Sequence, residues 1–285
     1  MSSKINSDTH ITFIGGGNMG RALMSGLLAN GCKADQISVV EANTATAQSL
    51  QNDFKVQIIH HLDSIAFDFA QNNVVLMAIK PQDFNIVAKG LAPKLKHASA
   101  PSPLVLSIAA GIRLADMSRW LEQTRCIRAM PNTPALIGKG ITGLFAKADI
   151  SAEDRALAET ICNAVGQSLW ISDEKLMDAV TAMSGSGPAY VFAFLEAMQS
   201  AGEKLGLDAQ SSRKLAYETL EGAIQLAQNS SEPASVLRER VTSKGGTTAA
   251  ALDVLNQEAW HAILVKAIAA ANERGKVMGD ELGKS

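Results

Sequence analysis

Aromatic side chains are scarce in this chain, at 5% of its 285 residues, with three Trp and two Tyr. An antiparallel β-sandwich calls for more aromatic and β-branched residues than that, so this class is excluded. Cysteine is scarcer. Cys32, Cys126 and Cys162 are odd in number and form no CxxC pair, which predicts buried free thiols in a reducing, cytoplasmic setting. Long apolar runs are missing too. The densest, Val74 to Ile79, is six residues, whereas a membrane-spanning helix needs ~20. The stretch Met1 to His10 is polar and shows no signal-peptide apolar region. Charge of one sign is absent, since Lys+Arg is 26, Asp+Glu is 28 and the net charge is −2. That balance offers no electrostatic footprint for nucleic acid or an anionic membrane. There is no HExxH, no GxSxG and no Cys/His cluster, and His10, His60, His61, His97 and His261 have no ligand spacing. Metal hydrolase and α/β-hydrolase readings therefore fail, and no metal site is expected.

What is present is alternation. The β-rich run His10 to Ile14 ends in glycines, and Arg21 to Ala29 follows with Leu23, Leu27 and Leu28 on one helical face. Strands are predicted at Ile37 to Glu41, Val56 to Ile59, Val74 to Ile79, Leu104 to Ile108 and Cys126 to Ala129. Two more are predicted near Gly143 to Ala146 and Gln167 to Ile171. Helices are predicted over Thr44 to Asp53, over Leu114 to Glu122 and after the cap spacing Ser151…Asp154. Strand and helix alternating at this spacing predict an α/β fold of Rossmann type, a doubly wound and mostly parallel sheet. From Ser172 onward no strand is legible. Asp173 and Asp208 can cap helices, Pro188 suits a first turn, and Trp260, Ile263, Leu264, Ala267, Ile268 and Ala271 follow helical period. The expected organisation is thus a dinucleotide-binding domain at 1–171 and an all-helical substrate-binding and dimerisation domain at 172–285.

The glycine loop Gly15-Gly16-Gly17-Asn18-Met19-Gly20 has GxGxxG spacing between a strand and a helix. The first glycine permits a tight turn, the second lets backbone approach a pyrophosphate, and the third lets helix and strand pack closely. Glu41, at the end of the second strand, stands where an acid bonds the adenine ribose 2′-OH, or is an ordinary strand-end carboxylate. No Arg or Lys follows it directly, yet Asn43, Thr44 and Thr46 can donate to a phosphate, so the choice between NADPH and NADH stays open. Three further loops leave strand ends: Ala78-Ile79-Lys80-Pro81, Ile108-Ala109-Ala110-Gly111 and Met130-Pro131-Asn132-Thr133-Pro134. They suit a crevice floor for a flat nicotinamide, or are plain turns. In the helical half, Ser184-Gly185-Ser186-Gly187-Pro188 reads as a loop joining two helices. It and Thr242-Ser243-Lys244-Gly245-Gly246-Thr247-Thr248 present N–H groups at helix starts, fit for a carboxylate or for simple capping.

Read together and in order, these blocks closely resemble the pyrroline-5-carboxylate reductase family, along nearly the whole chain. The residues carrying the resemblance include Phe13 to Gly20, Lys80-Pro81-Gln82, Ser107 to Gly111, Met130 to Ala135, Asp178 to Ala182, Ser184 to Tyr190 and Val241 to Thr248. The last two blocks are far more specific than the glycine loop. The resemblance implies reduction of L-1-pyrroline-5-carboxylate to L-proline by NADPH or NADH. It also implies a helical domain interlocked in a homodimer, often within a decamer. By position, Gly15 to Gly20, Ala78 to Pro81 and Ile108 to Ala110 match the family's cofactor contacts, and Glu41 and Asn43 flank them. Glu174, Thr247 and Thr248 match its proline-site contacts, with backbone of the Ser243, Gly245 and Gly246 loop about the substrate carboxylate. Thr248 matches the hydroxyl beside the ring nitrogen. Lys244 stands where the family often has Pro, and Glu41 where some relatives have a small residue beside the 2′-phosphate. Rival readings are a β-hydroxyacid dehydrogenase, another imine reductase, or a non-catalytic NAD(P)-sensing protein. The first expects a catalytic Lys on the helix opening the second domain, and none occurs between Lys175 and Lys204. The last expects loss of the Thr247 and Thr248 hydroxyls or of the SGSG block, and both are retained.

Overall fold

The computed structural model describes residues 5–284. Its eight strands are β1 (Thr9–Ile14), β2 (Ile37–Val40), β3 (Gln57–Ile59), β4 (Asn72–Met77), β5 (Leu104–Ser107), β6 (Cys126–Met130), β7 (Gly140–Ala146) and β8 (Gly166–Trp170). They form one sheet in the order β3-β2-β1-β4-β5-β6-β7-β8. Every pairing is parallel except β6 with β7. That exception has a geometric cause. The connection 131–139 is shorter than the dozen or so residues a parallel crossover needs, so the chain must turn back. Asn132 is buried there, and its Oδ1 accepts the Ile141 N–H at 2.9 Å.

Helices cover both faces. Ile11, Phe13, Val74, Leu76, Leu104 and Leu106 point into one core, shared with α1 (Asn18–Ala29), α2 (Thr44–Phe54) and residues Ala158, Ile161 and Cys162. Their strand neighbours Ile14, Val75, Met77 and Val105 point into the other, against α3 (Phe84–Leu91) and α4 (Leu114–Leu121). Burial on both faces is why these strands read as unbroken apolar runs. Helix α3 was not expected. The turn residues before it form a 3-10 turn, Pro81–Asp83, and the core then takes Phe84, Ala88 and Leu91 at helical spacing. Helix α1 begins at Asn18, so the end of the glycine loop is already helical.

Helix α5 (Ala152–Asn163) starts with half of the expected capping box. Ser151 Oγ accepts the Asp154 N–H at 3.0 Å. The Asp154 carboxylate turns instead to Arg125, which grips it with Nε at 2.8 Å and Nη2 at 2.6 Å.

After β8, Asp173 accepts the Lys175 N–H and opens a 3-10 turn, Glu174–Leu176. Helix α6 (Met177–Val180) runs directly into a π turn, Thr181–Gly185, and then into α7 (Gly187–Lys204). The loop expected at Ser184 to Pro188 is therefore helical, closed by Ser186 N–H to Thr181 C=O at 2.8 Å. Its glycine serves close packing: a Cβ on Gly185 would lie 2.6 Å from Met130 Cε. Four more helices follow: α8 (Ala209–Gln228), α9 (Ala234–Arg240), α10 (Thr247–Gln257) and α11 (Trp260–Gly283).

Two compact units result. One joins the residues up to Ser186 with those from Ala271 onward, and the other is Gly187–Ala270. The sheet unit thus extends past residue 171, because flanking segments pack on it. A Cβ on Gly143 of β7 would sit 2.6 Å from Val180 Cγ1. At the other end, Gly275 and Gly279 of α11 are buried. Arg113 pairs with Asp280 at 2.6 Å, and Arg119 Nη2 donates to Gly283 C=O at 2.8 Å.

Two outcomes follow for stability and reactivity. Asp154→Ala strands Arg125 of its partner, and unfolding free energy is expected to fall by on the order of 3 kcal/mol, read by urea titration. Burial raises the Cys32 thiol and pushes Cys126 and Cys162 up to about 12. A disulfide reagent at pH 8 is accordingly expected to leave the folded protein untouched and to consume every thiol once it is unfolded.

Candidate functional site

In an open parallel sheet a crevice opens at the strand carboxyl ends where the winding reverses. Here the reversal lies between β1 and β4. Strand β1 exits into Gly15, whose φ is +95° and whose N–H donates to Val40 C=O at 2.9 Å. A Cβ on Gly15 would lie 2.7 Å from Ala78 C=O, so only glycine lets the exits of β1 and β4 come this close. Gly20 brings the first turn of α1 against the same bend, where a Cβ would be 3.0 Å from Gly15 C=O. Around Gly17, by contrast, nothing lies within 4 Å of where a Cβ would be. Gly17 caps α1 without a side chain, and no acid sits in that first turn. The backbone N–H groups of Asn18 and Met19 thus open onto free space at the positive end of a helix, which is the donor set a pyrophosphate takes.

Glu41 follows β2 directly. Its Oε2 accepts the Gly16 N–H at 3.0 Å and its Oε1 the Asn43 N–H at 2.8 Å. Asn43 is the N-cap of α2, its Oδ1 accepting the Thr46 N–H at 2.9 Å. Gly15, Val40, Glu41, His60 and Ile79 line a cleft of about 420 Å³. Ala78 N–H donates to Ile14 C=O, Lys80 is exposed, and Pro81 opens the 3-10 turn. Next along the sheet, Ile108 N–H donates to Met77 C=O, and Ala109, beside Ala110, is buried with its N–H on Ser107 Oγ. The residues expected to hold a cofactor therefore gather at the ends of four adjacent strands, β2, β1, β4 and β5.

The expected substrate residues divide between the units. Glu174 lies in the sheet unit, and its Oε1 accepts the Leu114 N–H at 2.7 Å and Arg128 Nη1 at 2.7 Å. It thereby caps α4, whose own N-cap residue Arg113 makes no side-chain cap. Arg113, Arg128, Glu174, Asp178, Lys276 and Asp280 line a cavity of about 730 Å³. Burial raises the Asp178 carboxyl, opposed by Arg128, Arg113 and Lys276. The sequence does carry a signal for this brace: an arginine inside the apolar strand Cys126-Ile127-Arg128-Ala129 must find a carboxylate.

Thr247 and Thr248 form the first turn of α10 in the other unit, with Gly246 as a cap that offers no side chain and no acid in that turn. Gly245 has φ +70°, and Gly246 N–H donates to Ser243 C=O at 3.0 Å. Thr248 is half-buried and Thr247 exposed. Among the described residues, the hydroxyls of Ser243, Thr247 and Thr248 have no protein partner. Among the described residues, no group of three or more His, Cys, Asp or Glu is placed to hold a metal, and no helix is long and apolar enough to cross a membrane.

Comparison with known proteins gives this geometry a context. Residues 10–111 match a family model described as NADP oxidoreductase, coenzyme F420-dependent, and residues 174–278 match one described as pyrroline-5-carboxylate reductase dimerisation. A pyrroline-5-carboxylate reductase of Pseudomonas aeruginosa is 41% identical over 98% of this chain and all of that relative. A solved pyrroline-5-carboxylate reductase of Coxiella burnetii superposes with a TM-score of 0.87 at 36% identity, covering 95% of this chain and 99% of the other. One from Plasmodium falciparum, solved with NADP bound, superposes at 0.81 with 28% identity, covering 95% and 98%. With such likeness running end to end, the chain belongs to the pyrroline-5-carboxylate reductase family.

Proposed function

We propose that this chain reduces L-1-pyrroline-5-carboxylate to L-proline with NADPH or NADH, the closing reaction of proline synthesis. The observation that carries the reading is the glycine cradle, open at Gly17 and closed everywhere else, in a chain similar to these reductases throughout. A bound reduced nicotinamide supplies the hydride that the imine carbon accepts. The Gly15–Gly20 turn and the start of α1 hold its pyrophosphate. The ends of β4 and β5, at Ala78 to Pro81 and Ile108 to Ala110, form the floor of the crevice.

The rest of the chemistry asks little of the protein. A pyrroline nitrogen can be protonated before it reacts, which makes its carbon a good acceptor without a strong acid in the site. Orientation of the two reactants then dominates, and it can be worth ~7–11 kcal/mol. The N–H groups of Ser243 to Thr248 hold the substrate carboxylate, aided by a helix start that lacks an opposing acid. The Thr248 hydroxyl hydrogen-bonds the ring nitrogen, donating or accepting with its protonation state. Glu174, a substrate contact on the resemblance, also holds the start of α4 in place. Residues 1–171 would bind the cofactor and 172–285 the substrate and the partner subunit.

The unit Gly187–Ala270 supports a homodimer. Among its apolar side chains only Leu195 and Ala216 are buried, while Phe192, Phe194, Ile224, Leu226, Ile263 and Val265 are exposed. Covering side chains of this size is worth ~1.5–3 kcal/mol each, so a second copy is the natural cover. Dimers of this kind would build the decamer the resemblance implies. Three buried free cysteines agree with a reducing cytoplasm.

Thr248→Ala is expected to lower turnover by about tenfold to a hundredfold, as loss of one polarising contact does. Steady-state kinetics with unchanged kcat and KM would remove Thr248 from the mechanism. Failure of the imine to stimulate oxidation of either reduced cofactor would overturn the activity itself. Sedimentation is expected to give a dimer or a multiple of it, and a stable monomer at micromolar concentration would exclude the proposed interface.

A further inference from the structure

We propose that Glu41 makes this chain an NADH enzyme, by standing in the place that the 2′-phosphate of NADPH would need and holding one of the backbone donors there. The proposal rests on the reading above, in which the glycine cradle takes a reduced nicotinamide dinucleotide.

Three observations carry it. The first is that Glu41 is fixed. A strand-end carboxylate left to solvent would make no contact with the loop, whereas this one bridges two backbone N–H groups, Gly16 at 3.0 Å and Asn43 at 2.8 Å. It lines the same cleft as Gly15 and Ile79, and it comes 3.4 Å from where a Cβ on Gly16 would be. The carboxylate therefore stands at the mouth of the glycine turn, tied to both the turn and the start of α2.

The second observation concerns donors. A 2′-phosphate needs N–H or O–H groups from the segment after β2. The Asn43 N–H is already given to Glu41, and the Thr46 N–H to Asn43 Oδ1. The N-terminus of α2, otherwise suited to an anion, is thus partly satisfied from within.

The third concerns countercharge. Residues 41–54 contain no Lys or Arg. Lys55 lies past the far end of α2. Arg21 is engaged by Asp53 and Ser49. Lys80 follows β4, two strands along the sheet from β2. A phosphate dianion would meet a fixed carboxylate with no adjacent cation in that segment. A ribose bearing free hydroxyls meets an acceptor that still has lone pairs to offer, since an ionised carboxylate can accept about four hydrogen bonds. The same carboxylate that repels one cofactor therefore binds the other.

The test separates binding from turnover. Purified protein at pH 8 is titrated with NADH and with NADPH, following nucleotide fluorescence, and with AMP against adenosine 2′,5′-bisphosphate by calorimetry. The expected result is NADH bound at least about tenfold more tightly than NADPH, and AMP preferred over the bisphosphate. Glu41→Ser opens the space and removes the charge, and is expected to shift the ratio toward NADPH by at least about tenfold. Glu41→Gln removes the charge alone and is expected to shift it less, in the same direction. Equal or tighter binding of NADPH by the unaltered chain overturns the proposal, as does a ratio that neither variant moves. Binding of neither dinucleotide overturns both this proposal and the activity. Tight NADH binding without imine-dependent oxidation overturns the activity alone and leaves the discrimination standing.

Discussion

The structure depends on how closely the chain can pass itself at the carboxyl ends of β1 and β4. Gly15 turns at φ +95° with its N–H on Val40, and the space a methyl group would need is filled by Ala78 C=O. Because that bend is so tight, α1 starts only three residues later and points its first turn into the crevice. Gly20 then seats the helix on the bend. A larger residue at either place would push the helix start away from the sheet edge. The loops after β2, β4 and β5 would then frame a gap of the wrong shape. The glycines therefore set one distance from which the others follow.

A second regularity is how anions are managed. The first turns of α1 and α10 lack both acidic residues and side-chain caps. Elsewhere the same kind of backbone is satisfied from within: Asn43 caps α2, Ser151 caps α5, Asp208 caps α8, and Glu174 reaches across sixty residues of sequence to cap α4. Helices α3 and α9 also lack both, and what sets α1 and α10 apart from them is a glycine at the cap. A protein of net charge −2 can hold anionic groups this way, because the local field comes from aligned peptide dipoles rather than from a surplus of Lys and Arg.

How much of this could be read from the chain depended on how local its causes were. The alternating strands, the glycine turn, Asp208 at the head of α8 and the half-box at Ser151 were legible because neighbours in sequence determine them. Helix α3 hid behind Lys80-Pro81-Gln82-Asp83, whose turn chemistry is genuine but produces a single 3-10 turn before the apolar period resumes. The SGSG block read as a loop because glycine usually breaks helices. Its actual reason is the Met130 side chain, more than fifty residues away, which requires a position without a Cβ. The Arg128–Glu174–Leu114 brace was legible at one end only: Arg128 inside an apolar strand calls for a carboxylate, but its partners lie far off in sequence, on a 3-10 turn and α4. That the residues expected to hold a cofactor would lie close together was legible, since the sheet order brings four strand ends side by side. The division of the expected substrate residues between two compact units was not, because the stretch after β8 up to Ser186 packs on the sheet unit.

The last helix, α11, gives the chain an unusual order of assembly. The segment from Ala271 supplies Gly275, Gly279 and Asp280 to the unit that begins with β1. During synthesis, β1 to β8 and their helices can collapse early, but the start of α4, with Gly111 and Arg113, waits uncovered until the end of α11 arrives. The intervening stretch, Gly187–Ala270, must therefore be made as an excursion from a half-finished body. The nascent chain then carries two uncovered surfaces at once, a largely charged one that its own tail will cover and the apolar one of Gly187–Ala270 that it leaves exposed.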